Sequence, residues 1–256
     1  MSWERNVVVK SDKEIAIMRE AGRINALALA AARALIAPGV TTAELDAAAE
    51  EVIRKHHAIP TFMGVPGAYP YPASTTISIN DELVHGIPGK RKLREGDIVS
   101  VDCGTTFEGF VGDSAFTAGV GEVSEEAQRL IEVTERALYI GIEMLRPGNR
   151  VGDVGYAIEQ YVSAQGYYLT RQYTGHGVGR RMWEGPQVPN FGTRGRGIVF
   201  RPGMTIALEP MLLVGTEETR VLPDQWTVAS ADGSLTAHYE HSVAVTEGDP
   251  LILTAP

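Results

Sequence analysis

Cysteine is nearly absent from this 256-residue chain; Cys103 stands alone. One thiol makes no intramolecular disulfide, so nothing points to an oxidising compartment, and a Cys-x-x-Cys metal site is excluded. Cys103 itself reads as a small buried hydrophobe. A basic surplus is missing as well. The formal net charge is −9, which argues against an electrostatic nucleic-acid binder and gives no attraction to anionic lipid. Nor is there a long apolar run. The most apolar helical stretch, Ala26 to Ala37, is cut by Arg33 and falls short of the ~20 residues that span a bilayer. The opening Met1-Ser2-Trp3-Glu4-Arg5-Asn6 has no signal-peptide core. Low-complexity tracts and flexible linkers are lacking too. These absences predict a soluble, cytoplasmic protein that builds one large core without staples.

What the chain has is helical periodicity, twice interrupted by Pro-Gly. Ser11-Asp12-Lys13-Glu14 has capping-box form, and Ile15, Met18, Ala21 and Ile24 follow at helical spacing. The alanine-rich run continues to about Ile36, where Pro38-Gly39 stops it. Thr41 to Glu44 opens a second helix, with Leu45, Ala48, Val52 and Ile53 on one face, ending near His57. Phe62 to Ser74 mixes Gly, Pro and Tyr and reads as an ordered loop. Thr75 to Asn80 reads as extended, and Asp97 to Val120 as a hairpin turning near Glu108-Gly109. The helical pattern then returns. Ser124 caps a helix to about Leu145, Pro147-Gly148 stops it, and another helix runs from about Val151 to Gln165. Met204 to Glu209, Thr227 to Ala229 and Ala237 to Val245 read as strands. The class is therefore α/β (α+β). The repeated pattern leaves an internal duplication and a chance recurrence both open. A duplication predicts two halves, about 11–120 and 121–250 of one catalytic domain, meeting at a central cleft.

Most acidic residues are solvated surface, but four stand where a carboxylate is out of place. Asp102 lies inside the apolar strand Ile98-Val99-Ser100-Val101-Asp102-Cys103, and Asp113 follows Phe110-Val111-Gly112 on the returning strand. A turn centred at Glu108-Gly109 sets Asp113 opposite Gly104, diagonal to Asp102 and on the same face. Glu209 ends the strand Met204 to Leu208, and Glu240 lies within Ala237 to Val243. Each alone has a bland reading, a strand-end carboxylate bonded to backbone amides. Like charges buried together, however, call for protonation or a cation. His176, within Thr174-Gly175-His176-Gly177-Val178-Gly179, and His85, within Val84-His85-Gly86, are flanked by glycine and thinly covered. For these the alternative is a turn histidine without a role. Four carboxylates with one imidazole form an oxygen-rich set suited to Mn, Fe(II), Co or Zn in hydrolysis, and shared carboxylates point to a two-metal centre.

Taken in order, several segments resemble the methionine aminopeptidases. These are Glu14 to Gly22, Ser78 to Pro88, Asp97 to Asp102, Gly175 to Gly179, Gly203 to Pro210 and Tyr239-Glu240-His241, covering about residues 9 to 246. The short Glu209-to-Glu240 segment resembles the bacterial type I form. The resemblance implies the pita-bread fold, two pseudo-symmetric halves with an antiparallel sheet and flanking helices around a dimetal cleft. It implies that Asp102, Asp113, His176, Glu209 and Glu240 bind two divalent ions, with Asp113 and Glu240 bridging. It implies removal of the initiator methionine before a small second residue, with Glu209 as general base and His85 near the scissile amide nitrogen. Tyr71 and Trp226 would line the methionine pocket. The implied partners are nascent polypeptides, with transient ribosome association, for a monomer that binds neither nucleic acid nor membrane.

One departure stands out. The family usually has a second histidine shortly after His176, contacting the substrate carbonyl, and Trp183 occupies that place here. The expectation is that the indole N–H takes over the contact. A reshaped, less active pocket is the other outcome, as is a binding module that has lost catalysis. A proline-specific enzyme of the same fold would carry a sizeable extra N-terminal domain, whereas about ten residues precede the first helix.

Overall fold

The computed structural model describes residues 6–255. Ser11 caps α1 (Asp12–Ala34). Its hydroxyl accepts from the Glu14 amide, and the Glu14 carboxylate accepts from the Ser11 amide. Thr41 and Glu44 repeat the device at α2 (Thr42–Lys55). There follow β1 (Ile59–Pro60), β2 (Thr75–Ile79), β3 (Glu82–Val84) and the hairpin β4 (Ile98–Phe107) and β5 (Phe110–Gly119). Ser124 caps α3 (Glu125–Glu143), and α4 (Val151–Ala164) completes a second helix pair. The remaining strands are β6 (Tyr168–Leu169), β7 (Gly175–Gly177), β8 (Glu184–Val188), β9 (Thr205–Leu208), β10 (Met211–Leu213), β11 (Thr219–Val221), β12 (Val228–Ser230), β13 (Thr236–His238), β14 (Glu240–Ala244) and β15 (Leu251–Ile252).

The main sheet runs β1-β4-β5-β14-β9-β7-β8, with β2 also on β4 and β15 also on β14. Its hairpin register is the expected one, Gly104 opposite Asp113 and Asp102 opposite Ala115. Because side chains alternate along a strand, Gly112 and Ser114 face α1, where Ser114 Oγ bonds Asn25 Nδ2 at 2.8 Å. Asp113 and Ala115 therefore face the other way. The helix-side core holds Ile24, Ala28, Val101, Leu130, Leu138 and Leu208, all buried, and Cys103 lies among them.

The stretch read as one strand from Ala237 to Val245 is broken at Tyr239. β13 pairs with β10 in a separate three-stranded sheet, whereas β14 pairs with β5 and β9. The cause lies across the ladder, where Pro210 has no N–H to donate. Its carbonyl still accepts from the Tyr239 amide at 3.3 Å, and Tyr239 Oη donates to the Thr117 carbonyl at 2.9 Å. The bend carries Glu209 and Glu240 at its corner.

Helix α1 can sit close on β5 because both contribute glycine. A Cβ on Gly112 would stand 2.6 Å from the Gly22 nitrogen and 2.7 Å from its Cα. Backbone cannot yield as a side-chain tip can. Gly112→Ala is therefore expected to lower the unfolding free energy by about 1–3 kcal/mol, read as a lower urea midpoint at unchanged slope.

Candidate metal centre

Five neighbouring strands of the main sheet each deliver one donor. In sheet order these are Asp102 on β4, Asp113 on β5, Glu240 on β14, Glu209 just past β9 and His176 on β7. The register puts them on one face. Asp102 and Glu240 both lie opposite Ala115, and His176 and Ser242 both lie opposite Ala207. Stepping by two from Ala115 reaches Asp113, and from Ala207 reaches Glu209. Ala115 and Ala207 are small, which leaves space between the larger donors. Donor atoms of Asp113, His176 and Glu240 all lie within 4.8 Å of one another. His176 Nε2 is 3.8 Å from Asp113 Oδ2 and 3.4 Å from Glu209 Oε1. Glu209 is the most open of these, its side chain 14% exposed.

These groups face one another with acceptors and little else. His176 Nδ1 lies 2.9 Å from the Gly177 carbonyl, which only accepts, so Nδ1 carries the hydrogen and Nε2 presents a lone pair to the carboxylates. Asp102 Oδ1, Asp113 Oδ1 and Glu240 Oε1 are buried without a hydrogen-bond partner. Among the described residues no Lys or Arg comes within 4 Å of the four carboxylates; their close nitrogens belong to His176 and His238. Burial pushes Asp102, Glu209 and Glu240 well above the usual carboxylate range, and repulsion from neighbouring carboxylates adds to it. Asp113 is pushed up to about 7, again by burial. Burial also takes His176 down to about 4, so its ring is neutral. Buried, partnerless anionic oxygens beside an imidazole lone pair are the donor set a divalent cation satisfies.

The pocket over this face has a volume of ≈ 100 Å³, space on the scale of one side chain. Tyr71, Trp226, Trp183 and His85 line it, together with Phe62, Val65 and Met182. The Tyr71 ring meets Trp226 edge-on at 5.1 Å, and its hydroxyl lies 2.9 Å from the Gly86 carbonyl and 3.0 Å from that of Thr75. The Asp224 carboxylate holds the Trp226 loop by accepting from the amides of Trp226 and Thr227 at 3.0 and 2.9 Å. His85 has a left-handed backbone, φ 62°, uncommon for a residue with a Cβ. Its neighbour Gly86 fixes it, donating to Ser78 Oγ and accepting from the Ile77 amide. Burial lowers His85 to about 4. Trp183 is 49% exposed and stands edge-on to His176, ring centroids 6.4 Å apart. The chain beside it is pinned by a buried ion pair, Lys10 Nζ to Glu184 Oε2 at 2.7 Å.

Sequence reasoning missed four contributors. Phe62, Val65 and Met182 sit in loops, where no periodicity marks a wall residue. Ser242 was also overlooked; its hydroxyl accepts from the Asp113 amide at 3.0 Å and donates to the Asp113 carbonyl at 2.9 Å, tying β14 to β5. Two-residue alternation from Glu240 was the available signal.

A sheet that gathers an acceptor-only cluster beneath a small apolar pocket defines a metal-dependent hydrolase. The chain belongs to metallopeptidase family M24, which it matches over residues 16–247. Its relatives include the methionine aminopeptidase of Clostridium perfringens, 47% identical over 97% of this chain and 98% of that one. Methionine aminopeptidase 1 of Mycobacterium tuberculosis is 46% identical over 98% and 96% of the two chains. The crystal structure of methionine aminopeptidase from Thermotoga maritima superposes with a TM-score of 0.95 at 43% identity, covering 98% of this chain and 100% of that one. The fold is thus the pita-bread fold. A prolidase from Pyrococcus horikoshii shares it at a TM-score of 0.76 and 23% identity, and this chain spans 63% of that enzyme.

The carboxylates set a pH dependence. An acid held at a raised pKa keeps its proton longer in the folded chain, so folding loses stability as pH climbs from the unfolded value, about 4, toward the folded one. Buried histidines act oppositely, adding stability between their folded values near 4 and the unfolded value of about 6.5. Above about pH 6.5 only the carboxylate trend remains. Metal-stripped protein is therefore expected to melt at lower temperature as pH rises from about 6.5 to 8.5, with Mn(II) cancelling or reversing the trend because its binding displaces protons. Scanning calorimetry with chelator and with Mn(II) checks both slopes.

Proposed function

We propose that this protein removes the N-terminal methionine from peptides and nascent polypeptides, as the names of its relatives indicate, with Asp102, Asp113, His176, Glu209 and Glu240 holding two divalent ions. The observation that carries the reading is the buried convergence of partnerless acceptors, three carboxylate oxygens among them, beside the His176 lone pair. Mn, Fe(II), Co and Zn all suit such donors. Asp113 and Glu240 lie on adjacent strands at the middle of the set, which suits them to bridge. We also take the whole chain as one catalytic unit, monomeric and cytoplasmic, receiving substrates at the ribosome.

Ions bound there supply polarisation of the scissile carbonyl and a water acidic enough to react at neutral pH. The protein does the rest. Glu209, the most open of the carboxylates, takes the proton from the attacking water and returns it to the departing amine. His85, neutral and fixed by its turn, hydrogen-bonds the scissile amide nitrogen and steadies the leaving group. Tyr71, Trp226, Phe62 and Val65 take the methionine side chain into a space that closes off longer ligands. Trp183 forms the remaining wall beside His176, and its indole N–H reaches the substrate carbonyl.

Release of methionine from Met-Gly-Met, followed by mass spectrometry with Mn(II) or Co(II) added, tests the reading. Asp113→Asn is expected to cost on the order of 10³-fold in kcat/KM, about 4 kcal/mol, and to lower bound metal by elemental analysis. Full activity in that variant would refute the ligand assignment. A small second residue is expected to be preferred: Met-Ala peptides should exceed Met-Lys peptides by roughly tenfold or more in kcat/KM. Equal rates would count against the proposed orientation of the substrate.

A further inference from the structure

His238 has no part in the mechanism above, yet it lies against two of its residues. It ends β13, is 2% exposed, and its Nε2 is buried without a hydrogen-bond partner. That nitrogen stands 3.9 Å from Glu209 Oε2 and 3.9 Å from Glu240 Oε2. The His238 backbone is held on both sides. The His238 amide donates to Thr117 Oγ1 at 2.9 Å, the same hydroxyl donates to the His238 carbonyl at 2.8 Å, and the residue pairs with Met211. His238 is not among the residues that line the pocket.

A carboxylate offers about four lone-pair sites. A metal uses one or two, and the others need a donor to fix the group's orientation. The Thr76 hydroxyl and the Cys103 amide act on Asp102 in that sense, drawing its pKa down against the effect of burial. Glu209 and Glu240 have no Lys or Arg within 4 Å among the described residues. The second imidazole near Glu209 is that of His176, which turns a lone pair toward it. A neutral imidazole has one N–H to place. On Nε2 of His238 it meets acceptors on two sides, and about 1 Å of carboxylate movement brings either to the 2.7–2.9 Å of a charge-assisted bond.

We propose that His238 is a positioning residue, its Nε2–H shared between Glu209 and Glu240 so that both carboxylates keep the orientation in which they bind metal. This rests on the reading of those glutamates as metal ligands. The test is titration of the chelator-stripped full chain with Mn(II), by calorimetry and by the electron paramagnetic resonance signal of free Mn(II). His238→Met removes the donor at similar volume, and His238→Gln keeps an N–H. The Met variant should bind Mn(II) about 10–100-fold more weakly, and the Gln variant should stay within about threefold of the unmodified chain. Unchanged affinity in the Met variant, or an equal loss in both, would overturn the proposal. If the Met variant does not fold, the Gln variant decides: retained affinity supports the role, and a tenfold loss overturns it. Should the unmodified chain bind no Mn(II), the ligand reading itself fails, and this inference with it.

Discussion

Carboxylates buried together repel, and in the cluster of Asp102, Asp113, Glu209 and Glu240 no Lys or Arg among the described residues comes within 4 Å to offset that repulsion. A protein tolerates such an arrangement only with protons or cations in it, and protons are scarce at neutral pH except where burial forces them on. The geometry around the cluster follows from this constraint. Alanines at 115 and 207 keep the space between donors open. The Gly177 carbonyl fixes the His176 hydrogen on the far nitrogen, so that the near one stays free. Ser242 fastens the two central strands without offering a donor to the Asp113 carboxylate.

The local rules set the scaffold, and they were readable. A capping box marked where α1 begins, Thr41 to Glu44 marked the start of α2, and Pro-Gly marked where two helices end. Counting outward from Glu108-Gly109 gave the pairing of Asp113 with Gly104, because a two-residue turn leaves no freedom in the register. The bend at Tyr239 was not readable, since its cause is Pro210, about thirty positions earlier and across the ladder. His238 went unnoticed for a related reason. In a continuous strand it is one more polar neighbour of Glu240; only the bend turns its ring toward both glutamates. The loop residues Phe62, Val65 and Met182 follow no period, so chain pattern says nothing of them.

Rigidity in the pocket is built from backbone, not from bulk. His85 holds an unfavourable backbone angle because Ser78, Ile77 and Tyr71 all bond its glycine neighbour. Trp226 stays in place through two amides bound to Asp224. The Lys10–Glu184 pair does the same for the chain next to Trp183, and burial lowers the Lys10 pKa while its partner partly restores it. Each is a polar clamp set just outside an apolar wall, where it fixes position and leaves the wall free of charge.

Order along the chain and order across the sheet differ in one telling respect. The strand bearing Glu240 is among the last to be made, yet it inserts between β5 and β9, in the middle of the donor row. Asp102 and Asp113 share one local hairpin, whereas Glu240 reaches their face only through the long-range pairing of β14 with β5 and β9. The full acceptor cluster is thereby a product of sheet closure across the whole chain, and no local segment contains it.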